Sequence, residues 1–95
     1  MFLAAYHFDG DPAVLVAGYD RMLQGFPPDA FDLHTCVTTA AGVTVYDGCP
    51  TRAEFERFST GAELRGAVAA AGLPFPRIEP LGEVHHAVAR TTVAP

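Results

Sequence analysis

Two short β-branched runs on either side of a pair of alanines constrain this chain more than any other feature. LHTCVTT (33–39) and VTVYDGC (43–49) flank Ala40-Ala41-Gly42, a pattern that predicts an antiparallel hairpin with a tight turn. With Ala40-Ala41 as the loop, or the four residues Thr39 to Gly42, His34 lies opposite Asp47. If the loop slips to Ala41-Gly42, His34 lies opposite Cys49 and diagonal to Asp47. Side chains alternate with period two, so every one of these registers puts His34, Cys36 and Thr38 on the face that carries Val43, Val45, Asp47 and Cys49. A histidine and an aspartate therefore share a surface with small apolar groups whichever turn forms. A helix follows at once, with Thr51 and Glu54 at capping-box spacing.

The preceding residues supply a strand and a helix. MFLAAYHF reads as a strand from Phe2 to Phe8, buried on both faces. Asp9-Gly10-Asp11-Pro12 breaks it; Asp11 suits an N-cap and Pro12 the first helical position, where a missing amide costs nothing. Val14, Leu15, Gly18, Tyr19 and Met22 recur at helical spacing up to a stop near Gly25, with Gly18 allowing close approach to the sheet. Pro27-Pro28-Asp29 forms a loop.

Beyond the hairpin, Phe55 and Phe58 make one apolar stripe that Ser59-Thr60-Gly61 interrupts. Thr60 and Glu63 repeat the capping-box spacing, so the region divides into pieces near 51–58 and 61–71. Leu64, Ala67, Val68 and Ala71 face the core, Gly72 supplies a left-handed C-terminal cap, and Pro74 and Pro76 prevent continuation. GEVHHAVA reads as the last strand, from Glu83 to Arg90.

The order is thus strand, helix, strand, strand, helix, strand over one domain, 1–95. It specifies an α+β, ferredoxin-like βαββαβ fold: a four-stranded antiparallel sheet with its helices on one face. A chain of 95 residues buries only roughly 60–70% of its unfolded surface. Its strands look apolar on both sides, so a second copy is expected to pair sheet to sheet as a homodimeric α+β barrel.

Charge narrows the partners. Six basic residues against eleven acidic ones, a net charge of −5, with no basic cluster, argue against nucleic acid and anionic membrane surfaces. With no apolar run of about eighteen residues and no basic-then-apolar leader, the expected place is the cytoplasm. Cys36 and Cys49 are then read as reduced thiols.

Several stretches together resemble a known group. The run from His34 through Gly42-Val43-Thr44-Val45-Tyr46-Asp47, the Thr51, Glu54, Phe55, Phe58 helix start, Ala71-Gly72-Leu73-Pro74 with Pro76, and Val84-His85 are similar to small actinobacterial proteins of the dimeric α+β barrel superfamily. These are akin to antibiotic-biosynthesis monooxygenases. The resemblance spans roughly two thirds of the chain, and Tyr19-Asp20 extends it. It implies a homodimer enclosing a small-molecule pocket; no cofactor or metal is expected. Relatives in that superfamily include cofactor-free monooxygenases, isomerases and cyclases, haem-degrading enzymes and stress proteins, so it speaks to fold more than to reaction. Where members usually carry an aromatic residue at the end of the third strand, this chain has Cys49, followed by Pro50 in place of a common acidic residue. Of Tyr6 and His7, one must face the barrel interior.

The candidate catalytic residues are His34, Asp47 and His85, at positions where the group's polar residues recur. A histidine facing a carboxylate suits a general base with an orienting partner. His85 and His86 must point to opposite sides of a strand, and the resemblance favours His85. Tyr6, Cys36 and Cys49 are the candidate substrate-binding residues. The expected chemistry is removal of a proton by His34, backed by Asp47, from a phenol or enol of an aromatic or polyketide-like molecule, with His85 or Tyr6 holding its oxygen. The rival readings are a non-catalytic binding or stress-associated protein, in which the His–Asp pair locks the hairpin, and a metal- or haem-binding barrel. No phosphate-binding glycine loop, nucleophile elbow or Cys-x-x-Cys is present.

Overall fold

A computed structural model describes residues 1–27 and 29–94; Pro28, in the expected Pro27-Pro28-Asp29 loop, and Pro95 lie outside them. The elements are β1 (Phe2–Asp9), α1 (Pro12–Leu23), β2 (Leu33–Thr39), β3 (Gly42–Cys49), α2 (Arg52–Thr60), α3 (Ala62–Ala70) and β4 (Arg77–Glu83). All pairings are antiparallel and the strand order is β2-β3-β1-β4, compatible with a ferredoxin-like α+β fold. Among the described residues no helix is long and apolar enough to cross a membrane.

The hairpin adopts the Ala40-Ala41 loop. Thr39 pairs with Gly42 and His34 with Asp47. Gly42 has φ 152°, and a Cβ there would sit 2.0 Å from the Phe8 carbonyl oxygen. Only glycine lets the turn close against β1.

Helix ends follow local chemistry. Asp11 caps α1, its Oδ1 accepting from Ala13 N–H at 3.0 Å, with Pro12 in the first turn. The Thr51 hydroxyl accepts from Glu54 N–H at 3.2 Å, half of the expected capping box. Thr60 does not cap α3, contrary to expectation. Its hydroxyl donates backward to Glu56 O at 2.6 Å, the i−4 back-bonding that a threonine at the end of a helix makes to the carbonyl one turn before it. Gly61 stands at the N-cap of α3 without a side-chain bond. The C-terminus of α3 closes as a Schellman motif, with Gly72 at φ 73° and Leu73 N–H bonded to Val68 O. Arg21 of α1 donates to the Ala71 carbonyl at 2.9 Å, tying the two helices together. Gly18 admits Leu73 rather than the sheet, since a Cβ there would meet Leu73 Cδ2 at 2.5 Å.

The core lies between one sheet face and the helices. Phe2, Ala4, Tyr6 and Phe8 of β1 and Val43 and Val45 of β3 join Leu15, Tyr19, Phe55, Leu64 and Val68. Phe2 packs on Phe55 with ring centroids 5.2 Å apart, and Tyr6 meets Phe58 edge-on at 6.3 Å. Tyr6 therefore faces the helices and His7 the open side. The whole His34–Asp47 face is on the helix side too. A pocket there belongs to one protomer, which corrects the expectation that these residues line the interior between two sheets.

The last strand also differs. It runs from Arg77 to Glu83, not from Glu83 to Arg90. Antiparallel pairing matches β1 from His7 back to Phe2 against these residues, and Val84 N–H to Met1 O is the bond beyond them. Residues after Val84 have no ladder partner, so the alternation in GEVHHAVA is not used. Pro80 is tolerated because β4 is an edge strand, and the register shift beside it between Leu3 and Ala4 absorbs the irregularity.

Candidate functional site

The site is built where β1, β2 and β3 meet α1 and α2. Register alone brings His34 and Asp47 together: they are cross-strand partners on the covered face, and His34 Nδ1 lies 2.5 Å from Asp47 Oδ1. Both side chains are largely buried, 17% and 8% exposed. A carboxylate only accepts, so Nδ1–H donates to Asp47. The other ring nitrogen, Nε2, lies 2.5 Å from the Tyr19 hydroxyl. Burial first, then Cys36, Asp47 and Asp20, pushes the Tyr19 phenol up to about 12. A phenol that keeps its proton can donate it to Nε2 when Nδ1 carries the imidazole hydrogen. Phe31 stacks on the imidazole at 4.3 Å between centroids, so the ring is held from its edge and its face.

Two adjoining cavities open beside this cluster. The inner one, about 30 Å³, is lined by Tyr6, Phe8, Val45, His34 and Asp47 among others, room for one water or one substituent of a larger molecule. The outer one, about 310 Å³, runs past Cys49, Pro50, Asp32, Glu54 and Glu63. Phe26, Phe31, Asp47 and Phe58 belong to both. Among the described residues Asp47, which lines both cavities, hydrogen-bonds through Oδ1 alone, leaving Oδ2 without a partner.

Tyr6 completes the inner wall. It is 3% exposed, and its hydroxyl has no hydrogen-bond partner among the described residues. Burial, with the charges of Asp47 and Cys49, holds the phenol well above its ordinary range, so it remains an O–H donor. A buried hydroxyl without a partner costs roughly 1–3 kcal/mol, and this one belongs to a residue that lines the inner cavity.

The expected residues separate accordingly. His34, Asp47 and Tyr6 converge on the inner cavity, and Cys49 lines the outer one. Cys36 is half-buried opposite Val45. Burial first pushes both thiols up, helped by Asp20 at Cys36 and by Asp47, Glu54 and Asp32 at Cys49, so they stay unreactive thiols. His85 is not with them: it follows β4 as an exposed residue, because the strand that would have carried it ends at Glu83. No three His, Cys, Asp or Glu side chains among the described residues gather as a metal site.

Tyr19, which the sequence offers as a possible donor to a ligand but more readily as core, instead bonds His34, and Phe26 and Phe31 join the site without a signal in the sequence. Its place in the apolar stripe of α1 favours the core reading, and no local spacing announces the contact with His34. Phe31 gave no periodic signal, since it lies outside the helices and strands.

This geometry supplies a proton acceptor, a hydrogen-bond donor and an apolar enclosure within one protomer. A scan against family models finds no match to the chain, and searches of curated proteins and of solved structures find none either, so the residues themselves carry the functional reading.

Proposed function

We propose that the protein binds a small aromatic or enolic molecule between sheet and helices and moves a proton from it without a cofactor, as an isomerase, cyclase or monooxygenase-like enzyme does. The unpartnered, buried Tyr6 hydroxyl carries this reading. A ligand oxygen accepting from it would satisfy a group the protomer leaves unsatisfied. The ligand's acidic hydrogen then faces Asp47, which receives the proton at Oδ2 while His34 Nδ1–H holds Oδ1. His34 and Tyr19 act as positioning residues. The developing enolate or phenolate is stabilised by the Tyr6 O–H in a site walled by aromatic rings.

The open sheet face serves a second copy in this reading. Leu3, Leu33, Val37 and Tyr46 lie on it by register, with Val37 39% exposed; a dimeric mass in native mass spectrometry is the expected result.

The test of proton transfer is deuterium uptake from heavy water at the α-carbon of 2-tetralone, a small aryl ketone. Asp47→Asn should slow it about 100-fold or more; uptake unchanged in that variant refutes the assignment. One observation favours the non-catalytic reading instead: both His34 nitrogens are satisfied inside the protomer. Ligand binding without any catalysed exchange would support that rival.

A further inference from the structure

The two edges of the sheet are finished differently. β4 closes one side with Pro80, a register shift beside it and the charged residues Arg77, Glu79 and Glu83. Those are devices that keep an edge strand from pairing with another chain. β2, the other edge, lacks them. From Leu33 to Thr39 it has no proline, no ionisable residue besides His34 on the covered face, and four β-branched residues. Its ladder with β3 runs through all seven residues without a shift. On its outer side the backbone amides and carbonyls have no partner among the described residues, and Val37 is 39% exposed. An uncovered edge of this kind is a template for one more strand.

The chain holds a segment with a strand's alternation and no ladder. Past Val84, whose N–H bonds Met1 O, residues 85–90 are all exposed, and no hydrogen bond among the described residues uses their amides. Val88 is 68% exposed. Charge sets this segment apart as well. All eleven acidic residues lie at or before Glu83, two of them, Asp29 and Asp32, leading into β2, whereas the ionisable side chains after Glu83 are His85, His86 and Arg90. A segment with only basic groups complements an edge entered through two carboxylates.

The β2 edge of the same protomer is out of reach for such a ladder. β4 and β2 stand at opposite sides of the sheet, about 14 Å apart at about 4.8 Å per strand, and an extended chain spends about four residues on that distance. Too few of 85–90 would remain to pair. A second copy imposes no such crossing.

We propose that residues 85–90 add as a strand to the β2 edge of a second copy, each protomer giving its arm to the other about a two-fold axis. The inference rests on the second copy that the reading above seats on the open sheet face, and deepens it: the arms cover both bare edges and fasten the pair.

Hydrogen exchange and native mass spectrometry of the full chain test it, with Ala87→Pro, Val88→Pro as the double variant. Adjacent residues of a strand send their amides to opposite edges, so one proline deletes a donor toward the partner whichever way the arm lies. In the unaltered dimer the amides of 85–90 and the outward amides of β2 should exchange about 100-fold more slowly than in an unstructured chain. The double variant should lose protection in both segments and dissociate at a roughly tenfold higher concentration. The urea stability of its monomer should be unchanged, because the protomer makes no use of those amides. A variant that dimerises with unaltered affinity and keeps its β2 amides protected overturns the arm and leaves the second copy standing, as does an unaltered dimer whose 85–90 amides exchange freely. A monomeric mass for the unaltered protein at micromolar concentration removes the second copy and this inference with it.

Discussion

Each face of the sheet carries a histidine held between a carboxylate and a hydroxyl, and the surroundings differ. On the covered face His34 joins Asp47 and Tyr19, both at 2.5 Å. On the open face His7 joins Glu79 at 2.9 Å and Thr44 at 3.0 Å, across β4, β1 and β3. The Glu79 side chain is 53% exposed, whereas Asp47 is 8% exposed. Within one protomer water reaches the Glu79 carboxylate and satisfies whatever that pair leaves free, so the pair does little beyond bracing an edge strand. The second has exchanged water for protein, and each of its polar atoms must be accounted for. The same three chemical groups are a surface tie in one place and a candidate reaction centre in the other.

The largest expected effect is at Asp47. Asp47→Ala removes the acceptor of a buried histidine and should lower the unfolding free energy in urea by about 2–4 kcal/mol. If Glu79→Ala costs as much, the contrast between the faces is wrong.

The next concerns alkaline pH. The Tyr19 phenol titrates near 10 in the unfolded chain and about 12 in the folded one. Above 10 the unfolded chain releases that proton while the folded protein retains it, so stability is intact below about 10 and falls as pH rises toward 12. Tyr6, pushed up in the same direction, adds to the fall. Denaturation across this range should show a shallower decline for Tyr19→Phe; identical slopes would place Tyr19 in water.

The covered face should also protect its thiols. Both cysteines are held above their ordinary range, so alkylation by iodoacetamide at mildly alkaline pH should be about tenfold slower in the folded protein than in urea. Equal rates would mean that the helices do not shield this face. The smallest effect belongs to the open face, where Glu79→Ala should change stability by no more than about 0.5 kcal/mol.

How much of this was legible depends on the range of the determinants. The His34–Asp47 pairing follows from period-two alternation and a short loop, both local, and the sequence confined it to a few registers. Asp11, Thr51 and Gly72 announced helix ends through chemistry acting within a few residues. Which face the helices cover is a long-range choice, and apolar residues on both sides of β1 leave it open, so the sequence alone does not say whether Tyr6 or His7 joins the pocket. The fourth strand departs from expectation for the opposite reason. Pro80 and Gly82 carry loop signals that an edge strand overrides, while GEVHHAVA has a strand's alternation with no partner left on β1. That shift removed His85 from the candidate site. Tyr19 entered it because α1 crosses the end of β2, which no spacing within the helix announces.

Urea unfolding of Tyr6→Phe against the unaltered protein tests the central claim most directly, that the Tyr6 hydroxyl is kept for a ligand and not for the fold. Removing a buried hydroxyl that has no partner within the protomer should raise the unfolding free energy by about 1 kcal/mol. A fall of about 1 kcal/mol or more would mean that the hydroxyl already holds something inside the protein, and would contradict the account.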